Sequence, residues 1–231
     1  MSDSRPVELE FSRKYDLQHA EHYLNKHQDG WSHRLSNWRD QQLARRALRL
    51  AGEPRLVLDL PCGAGRFWAT LAEHPSREIL AADYSADMLD VARRHQVRES
   101  QGRVRTLRTS AFSIDLDDAS VDCVFCMRLL HHVADAEHRT TILREFHRVS
   151  RDTVILSLWV DGNYKAWRRR RLEQRRNQSR NRFIITRDRA EQEFRDAGFD
   201  IVGHQDFLPG YAMWRVYTLR RNGAGGGSED E

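Results

Sequence analysis

The apolar positions of the chain fall into short buried runs that alternate with segments of helical spacing. Between Trp31 and Leu50, apolar residues recur three or four apart, which predicts an amphipathic helix with Trp31 and Trp38 as core residues. Gly52-Glu53-Pro54 then ends that helix. The apolar run Leu56–Leu60 that follows is typical of a strand buried on both faces.

The same alternation continues to residue 219. Further strands are predicted at 79–82, 104–107, 121–127, 153–159, 199–207 and 214–219, and further helices at 66–73, 86–95, 135–150 and 187–197. Ser85 and Gly198 are candidate helix caps. Strands that alternate with helices predict an α/β fold of the Rossmann-like class, a doubly wound and mainly parallel sheet. Because no full helix separates the final two strands, the last strand is expected to run antiparallel.

Composition divides the chain further. Residues 8–51 are rich in His, Arg, Trp and Gln, and residues 1–52 are predicted to form a helical cap or lid. Residues 53–222 are expected to form the main domain, with a basic insertion at 160–186, and 223–231 a disordered tail. The chain shows no apolar run long enough to span a bilayer, no secretory signal and an odd number of cysteines (three), so a soluble cytoplasmic protein is expected. Cys123 and Cys126 point to opposite faces of a predicted strand, and no metal site is predicted.

Positive charge is concentrated in the basic insertion. The net charge is +4, yet Lys165–Arg182 holds nine basic residues and one acid, against 29 bases and 33 acids elsewhere. Such a segment can contact RNA phosphates, dock on an anionic membrane, hold an anionic acceptor molecule or form a solvated face. Since no RNA-binding module accompanies it and aromatic residues within it are few, a lipid or anionic small molecule ranks above RNA as its partner.

The residues suited to chemistry follow the first two strands. The first strand runs into the turn Asp59–Arg66, and the second ends at Asp83. Ligands of open α/β sheets bind at the carboxyl ends of the strands, where an acid ending the second strand commonly binds ribose hydroxyls. Trp68 stands where a dinucleotide fingerprint needs its third glycine. The Asp59 carboxylate would repel a pyrophosphate but attract the ammonium and sulfonium groups of S-adenosylmethionine, which the turn therefore favours.

On the stretches 56–66, 82–89 and 115–133, the chain resembles the class I S-adenosylmethionine-dependent methyltransferases, particularly those acting on small molecules and lipids. The resemblance extends over about residues 56–219 and implies S-adenosylmethionine as the cofactor. It places Asp59, Gly63 and Gly65 at the methionine end and Asp83 at the ribose. It also places Tyr84 or Met88 beside the adenine, the segment 110–112 at the adenine edge, and 127–128 on the floor of the site. The implied cofactor residues are Asp59, Leu60, Pro61, Cys62, Gly63, Gly65, Asp83, Tyr84, Met88, Ser110, Ala111, Phe112, Met127 and Arg128.

Two residues depart from the family pattern. Pro61 occupies the first glycine position of the turn, which removes a backbone donor and fixes φ. Ser110 stands where many relatives have an aspartate that receives the adenine amino group, a bond that a serine hydroxyl can also accept.

The expected activity is methyl transfer to an oxygen or nitrogen of a small or lipid-like, anionic acceptor. His131 and His132 are candidates for a general base, with a structural or cofactor-lining role as the alternative. Candidate acceptor contacts are Tyr15, Tyr23, Tyr164 and Arg168. The alternatives are an RNA methyltransferase that uses the basic insertion for phosphate contacts, and a non-catalytic module that binds S-adenosylmethionine. The oligomeric state is left open.

Overall fold

Seven strands form the sheet around which the chain folds. The computed structural model describes residues 31–94, 100, 102–173 and 182–223, so Tyr15, Tyr23, the stretch 174–181 of the basic insertion and the tail from 224 lie outside the described residues. The strands are β1 (Leu56–Asp59), β2 (Glu78–Asp83), β3 (Val104–Arg108), β4 (Val121–Cys126), β5 (Ser150–Trp159), β6 (Phe199–Asp206) and β7 (Trp214–Arg221).

The strands hydrogen bond in the order β3-β2-β1-β4-β5-β7-β6. β1 to β5 run parallel, whereas β7 is antiparallel to both of its neighbours, β5 and β6. The Rossmann-like fold class and the antiparallel last strand are therefore confirmed. The strand order reverses between β1 and β4, which opens a crevice at the carboxyl ends of these strands.

The helices are α1 (Trp31–Leu50), α2 (Trp68–Leu71), α3 (Ala86–Arg94), α4 (Ala136–Val149), α5 (Tyr164–Glu173) and α6 (Arg187–Asp196), with a short 3-10 helix at Leu130–His132. Ser85 caps α3 by accepting a hydrogen bond from the N–H of Met88, and Gly198 follows α6 with a φ of +89°, so both predicted caps are present. The helix predicted at 66–73 is shorter, and Arg77 and Arg103 donate to the carbonyls of residues 71 and 72 at its end.

Helices cover both faces of the sheet. α4 and α6 pack on one face, with Phe146 and Phe194 in the core. α1, α2 and α3 pack on the other face, where Leu43, Trp68 and Leu89 are buried. The described part of the 1–52 segment thus shares the core of the sheet, while the division of the chain at residue 52 stays a prediction.

The outer end of α1 does not contribute to this core. Trp31 and Trp38 are 87% and 55% exposed, so the prediction that they are core residues was wrong. At about 100° per residue, both tryptophans point away from the buried side of α1, which carries Leu43 and Ala47. The spacing of three to four residues had therefore grouped apolar residues that lie on two different faces of the helix. No helix in the described part of the chain has both the length and the apolar character needed to cross a membrane.

Candidate active site

The turn at residues 60–65 lies at the carboxyl edge of the sheet, between β2 and β4. The N–H of Leu60 donates to a carbonyl of β4 at 3.0 Å, and the N–H of Cys62 donates to a carbonyl of β2 at 2.8 Å. Gly63 and Gly65 have φ values of +53° and +76°, a region that favours glycine. The turn is thereby fixed where open α/β sheets bind their ligands.

Trp68 fills the space beside this turn. Its indole N–H donates to Oδ2 of Asp59 at 3.2 Å in the buried interior. A Cβ built on Gly65 would lie 2.8 Å from Cδ2 of the Trp68 ring. Gly65 therefore makes room for a protein side chain as well as for any ligand, and Trp68 positions the Asp59 carboxylate.

Asp83 ties the turn to the start of α3. Its Oδ2 accepts a hydrogen bond from the N–H of Gly63, and its Oδ1 accepts one from the N–H of Ser85, both at 3.0 Å. The backbone of Tyr84 provides a third hydrogen bond, and a carboxylate has about four acceptor positions, so about one remains for a hydroxyl group of a ligand. Asp83 can therefore order the turn and bind a ribose at the same time.

The two acids at the strand ends, Asp59 and Asp83, create a site for positive charge. Burial raises the pKa of Asp59 well above its usual range; the Trp68 hydrogen bond opposes this shift and the nearby Asp83 adds to it. Burial also raises the pKa of Asp83, against hydrogen bonds from backbone N–H groups. Among the described residues, no arginine, lysine or histidine pairs with either carboxylate. A bound cation would stabilise their charged forms, so these residues fit the ammonium and sulfonium groups of S-adenosylmethionine.

The residues expected around the adenine lie on the β2–β3 side of the turn. Met88 is buried, with its Cε 3.8 Å from a Cβ built on Gly63, whereas Tyr84 is exposed. The Oγ of Ser110 accepts a hydrogen bond from the N–H of Phe112 at 3.2 Å and keeps its own hydroxyl hydrogen for another partner. Phe112 makes an edge contact with a histidine ring of α4. Contact between these residues and a cofactor stays a prediction.

Known proteins are similar to this chain in sequence. Residues 57–153 match the family model described as a methyltransferase domain. The demethylmenaquinone methyltransferase of Thermus thermophilus is 35% identical over 119 residues, which are 50% of this chain and 52% of that protein. A methyltransferase-like protein of Schizosaccharomyces pombe is 36% identical over 101 residues, 43% of this chain and 36% of that protein. Residues 57–153 therefore match a methyltransferase domain, as the resemblance to the class I S-adenosylmethionine-dependent methyltransferases implied.

Solved structures agree with this methyltransferase fold. Magnesium protoporphyrin IX methyltransferase from Synechocystis PCC 6803, with bound SAH, aligns with a TM-score of 0.73 at 14% identity, over 92% of this chain and 99% of that chain. The chain spans about half of the length of the Thermus protein and about a third of that of the Schizosaccharomyces pombe protein. The matched segment covers β1 to the start of β5, and therefore the glycine turn and Asp83.

A buried ion cluster joins α1 to the methyltransferase domain. Asp40 of α1 is 1% exposed, and its Oδ2 accepts hydrogen bonds from Arg66 at 2.5 Å and from Arg128 at 2.6 Å. Arg66 follows the glycine turn, and Arg128 follows β4 with a left-handed φ of +69°. The N–H of Arg128 donates to Oγ of Ser157 at 2.9 Å. Asp40 therefore orients two arginines at the carboxyl edge of the sheet. The backbone of one of them, Arg128, has a conformation that costs free energy for any residue other than glycine.

Next to Arg128 lies a cluster of three rings, His131, Trp159 and Trp214, which we call the aromatic wall. His131 is 3% exposed; its ring stacks on Trp159 with centroids 5.1 Å apart and makes an edge contact with Trp214 at 5.0 Å. Trp159 ends β5 and Trp214 begins β7, and the two residues are partners in the antiparallel pairing. The wall thus stands at the same edge of the sheet as the glycine turn.

Three guanidinium groups surround the aromatic wall. Arg128 lies 4.9 Å from the centre of the Trp214 ring, and Arg169 and Arg182 lie 5.1 and 5.6 Å from that of Trp159. Each distance is within the range of a cation–π contact. This edge of the domain therefore combines flat apolar surface with concentrated positive charge.

The environment of His131 decides how well it can act as a base. Burial lowers its pKa to about 2, with further lowering by His132 and by the three guanidinium groups around the wall. The imidazole is therefore neutral at physiological pH, but it accepts a proton only weakly. This favours a structural or positioning role for His131. The ring of His132, centred 4.1 Å away, stays the other candidate base.

The remaining sequence candidates separate by burial. Leu60, Cys62 and Met127 are buried, and Pro61, whose preceding peptide bond is cis, is partly exposed. Tyr164 and Arg168 are exposed on α5. The structure thus assembles the turn and both acids in one place and leaves these two acceptor candidates on the outer surface.

Sequence reasoning missed four residues of this site: Asp40, Trp68, Trp159 and Trp214. An acid three positions before Leu43, on the apolar side of α1, was a usable signal for Asp40. The partnership of Trp159 with Trp214 depends on strand register, which no local pattern reveals.

Proposed function

We propose that this chain transfers the methyl group of S-adenosylmethionine to an oxygen or nitrogen of a small, lipid-like acceptor that carries negative charge. The glycine turn, Asp59 and Asp83 would hold the cofactor, which supplies an activated methyl group. The observation that carries the acceptor class is the aromatic wall with Arg128, Arg169 and Arg182 around it. The rings offer a flat apolar surface, and the guanidinium groups offer donors for a carboxylate or phosphate.

Unpartnered polar atoms support an anionic ligand at the wall. The Nε of Arg128, the Nε1 of Trp214 and the Nδ1 of His131 are buried and have no hydrogen-bond partner among the residues that the structure describes. The arginine and tryptophan atoms are donors only, and a buried donor without a partner costs free energy. Movement of the wall to admit an acceptor oxygen would give these donors a partner.

The curated relatives agree with a small acceptor. One of them is a demethylmenaquinone methyltransferase, whose name specifies a lipid-like small molecule rather than a polymer. The work left to the protein is to align the acceptor with the methyl carbon and to exclude water. Where the acceptor must lose a proton, His132 is the better placed candidate, because His131 is buried with a pKa of about 2.

A panel of candidate acceptors that differ in charge tests the proposal. The purified chain is incubated with labelled S-adenosylmethionine and, separately, with an amphiphilic hydroxyaryl carboxylate, its neutral carboxyl ester, an amine analogue and a single-stranded RNA. We expect label on the carboxylate and little on the ester or the amine. Label only on the RNA, or equal label on the carboxylate and the ester, would contradict an anionic small-molecule acceptor.

Arg128→Gln identifies the group that binds the acceptor. Loss of one charge-assisted hydrogen bond, about 1.5–3 kcal/mol, should raise the acceptor KM by about 10- to 150-fold, and by more than it raises the Kd for S-adenosylmethionine. Arg66→Gln is the matched control, since Arg66 bonds to the same Asp40 oxygen but is not one of the three guanidinium groups at the wall. Equal effects of both variants on KM would assign the loss to the ion cluster instead.

A further inference from the structure

A row of exposed apolar side chains marks the outer side of α5 and the loop before β7. Tyr164 and Trp167 of α5 are 48% and 50% exposed, and Leu208 and Tyr211 of the loop are similarly exposed. Leu172 adds a further exposed apolar side chain near the end of α5. We call these five residues the α5 patch.

The α5 patch is one continuous surface. The rings of Tyr164 and Tyr211 stack at 5.7 Å with an angle of 11°, and Trp167 lies 5.8 Å from Tyr164. Backbone hydrogen bonds join the two segments, from the N–H of Tyr164 to the carbonyl of Gly210 at 2.9 Å and from that of Lys165 to Tyr211 at 3.0 Å. The patch is therefore built into the fold at two points.

Basic side chains lie among these rings. At about 100° per residue, Arg168 and Arg171 share the side of α5 that carries Tyr164, whereas Ala166 points to the opposite side and is buried. The sequence from 164 to 172 contains no acid. Arg170, by contrast, is paired with Asp161 at 3.2 Å. The outer side of α5 thus presents positive charge beside apolar surface.

From these contacts we propose that the α5 patch docks the protein on an anionic membrane surface. Tyrosine and tryptophan rings favour the boundary between headgroups and acyl chains, and arginine and lysine attract anionic headgroups. The exposed leucines give apolar surface that can enter the acyl boundary. α5 follows β5, and the loop precedes β7, so the patch opens at the same sheet edge as the aromatic wall.

The ring contacts favour a membrane over a single-stranded nucleic acid. Bases bind exposed aromatic residues by stacking on a ring face. Arg171 lies 4.4 Å from the centre of Trp167, Tyr164 stacks on Tyr211, and the Lys165 amine lies 5.1 Å from the Tyr211 centre. Each ring therefore already has a protein group against it, and two leucines in the same patch have no use in base stacking.

Vesicle sedimentation tests the proposal without any methyl transfer. The full chain is mixed at low salt with sucrose-loaded vesicles of phosphatidylcholine alone, or of phosphatidylcholine with phosphatidylglycerol in equal parts. We expect it to pellet only with the anionic vesicles and to be released as salt rises. Arg168→Gln with Arg171→Gln should weaken binding about 30-fold, and Trp167→Ala about tenfold.

Arg55→Gln with Arg144→Gln is the charge-matched control, because both arginines are exposed and neither belongs to α5. Its binding should stay within about threefold of the unmodified chain. The proposal is overturned if the unmodified chain stays in solution with anionic vesicles, if the two double variants bind equally, or if single-stranded RNA is bound while the vesicles are not. Because binding is measured without acceptor or cofactor, its failure and a failure of the acceptor proposal are independent results.

Discussion

Replacing Asp40 by asparagine tests whether charge ties α1 to the methyltransferase domain. The change keeps the shape of the side chain and removes the negative charge that Arg66 and Arg128 share at 2.5 and 2.6 Å. A hydrogen bond to a charged group contributes about 1.5–3 kcal/mol, against about 1 kcal/mol for a neutral one. Two such bonds weaken in the variant, but the arginine side chains are 12% and 30% exposed, so water partly screens them. We therefore expect a loss of about 2–3 kcal/mol in the free energy of unfolding.

That loss is measurable by thermal and urea unfolding. For a chain of this size, 1 kcal/mol lowers Tm by about 2–4 °C, so Asp40→Asn should lower Tm by roughly 4–12 °C. Glu73→Gln is the matched control, since Glu73 bonds Arg45 at the same 2.6 Å but the Arg45 and Glu73 side chains are 32% and 48% exposed, against 1% for Asp40. An exposed pair contributes below about 1 kcal/mol. If the two variants lose equal stability, the Asp40 cluster adds nothing beyond a surface ion pair and our reasoning is refuted.

Three further outcomes follow from the site. Asp83→Ala should raise the Kd for S-adenosylmethionine by about 10- to 150-fold in calorimetry, the loss of one charged hydrogen-bond partner; unchanged affinity in a folded variant would remove Asp83 from the ribose. Trp68→Phe keeps a ring beside Gly65 but removes the donor to Asp59, and should cost about 1–3 kcal/mol in urea unfolding; no loss would mean that the indole N–H is dispensable. The pKa of His131 is near 6.5 in the unfolded state and about 2 in the folded state. Below pH 6.5 the unfolded state therefore binds a proton that the folded state does not, so the free energy of unfolding decreases as the pH is lowered. His131→Gln should flatten this fall in Tm between pH 6.5 and 4, and an unchanged slope would show that the ring is not buried as described.

Much of the fold follows from local patterns, because each strand is a short apolar run and each helix has a turn or cap at its ends. The cofactor side of the site was predictable for the same reason: Asp59, Gly63 and Asp83 sit at strand ends and in the turn between them, and strand ends of a parallel sheet meet at one edge. The burial of α1 was only half predictable, since spacing of three to four residues also connected Trp31 and Trp38 to a face they do not share with Leu43.

The residues of the proposed acceptor site could not be predicted in the same way. Asp40, Trp159 and Trp214 are far apart along the chain and meet only through tertiary packing and the register of β5 with β7. The contact between α5 and the loop before β7 is another example. The arginines of α5 were visible in the sequence, but Tyr164 can stack on Tyr211 only because this loop returns to α5 in the fold.

The pairing of Trp159 with Trp214 has a consequence for the history of this protein. Both residues lie outside 57–153, the segment matched by the methyltransferase family, and so do Asp40 and α5. The matched segment therefore carries the predicted cofactor residues together with Arg128 and His131, whereas the flanking stretches carry the rest of the proposed acceptor site. On the proposed function, mutations in the flanking stretches would alter the acceptor site without touching the predicted cofactor residues. Grafting residues 154–222 onto a related segment would then transfer the acceptor preference only if that segment carried Arg128 and α1 supplied Asp40, because Asp40 orients Arg128.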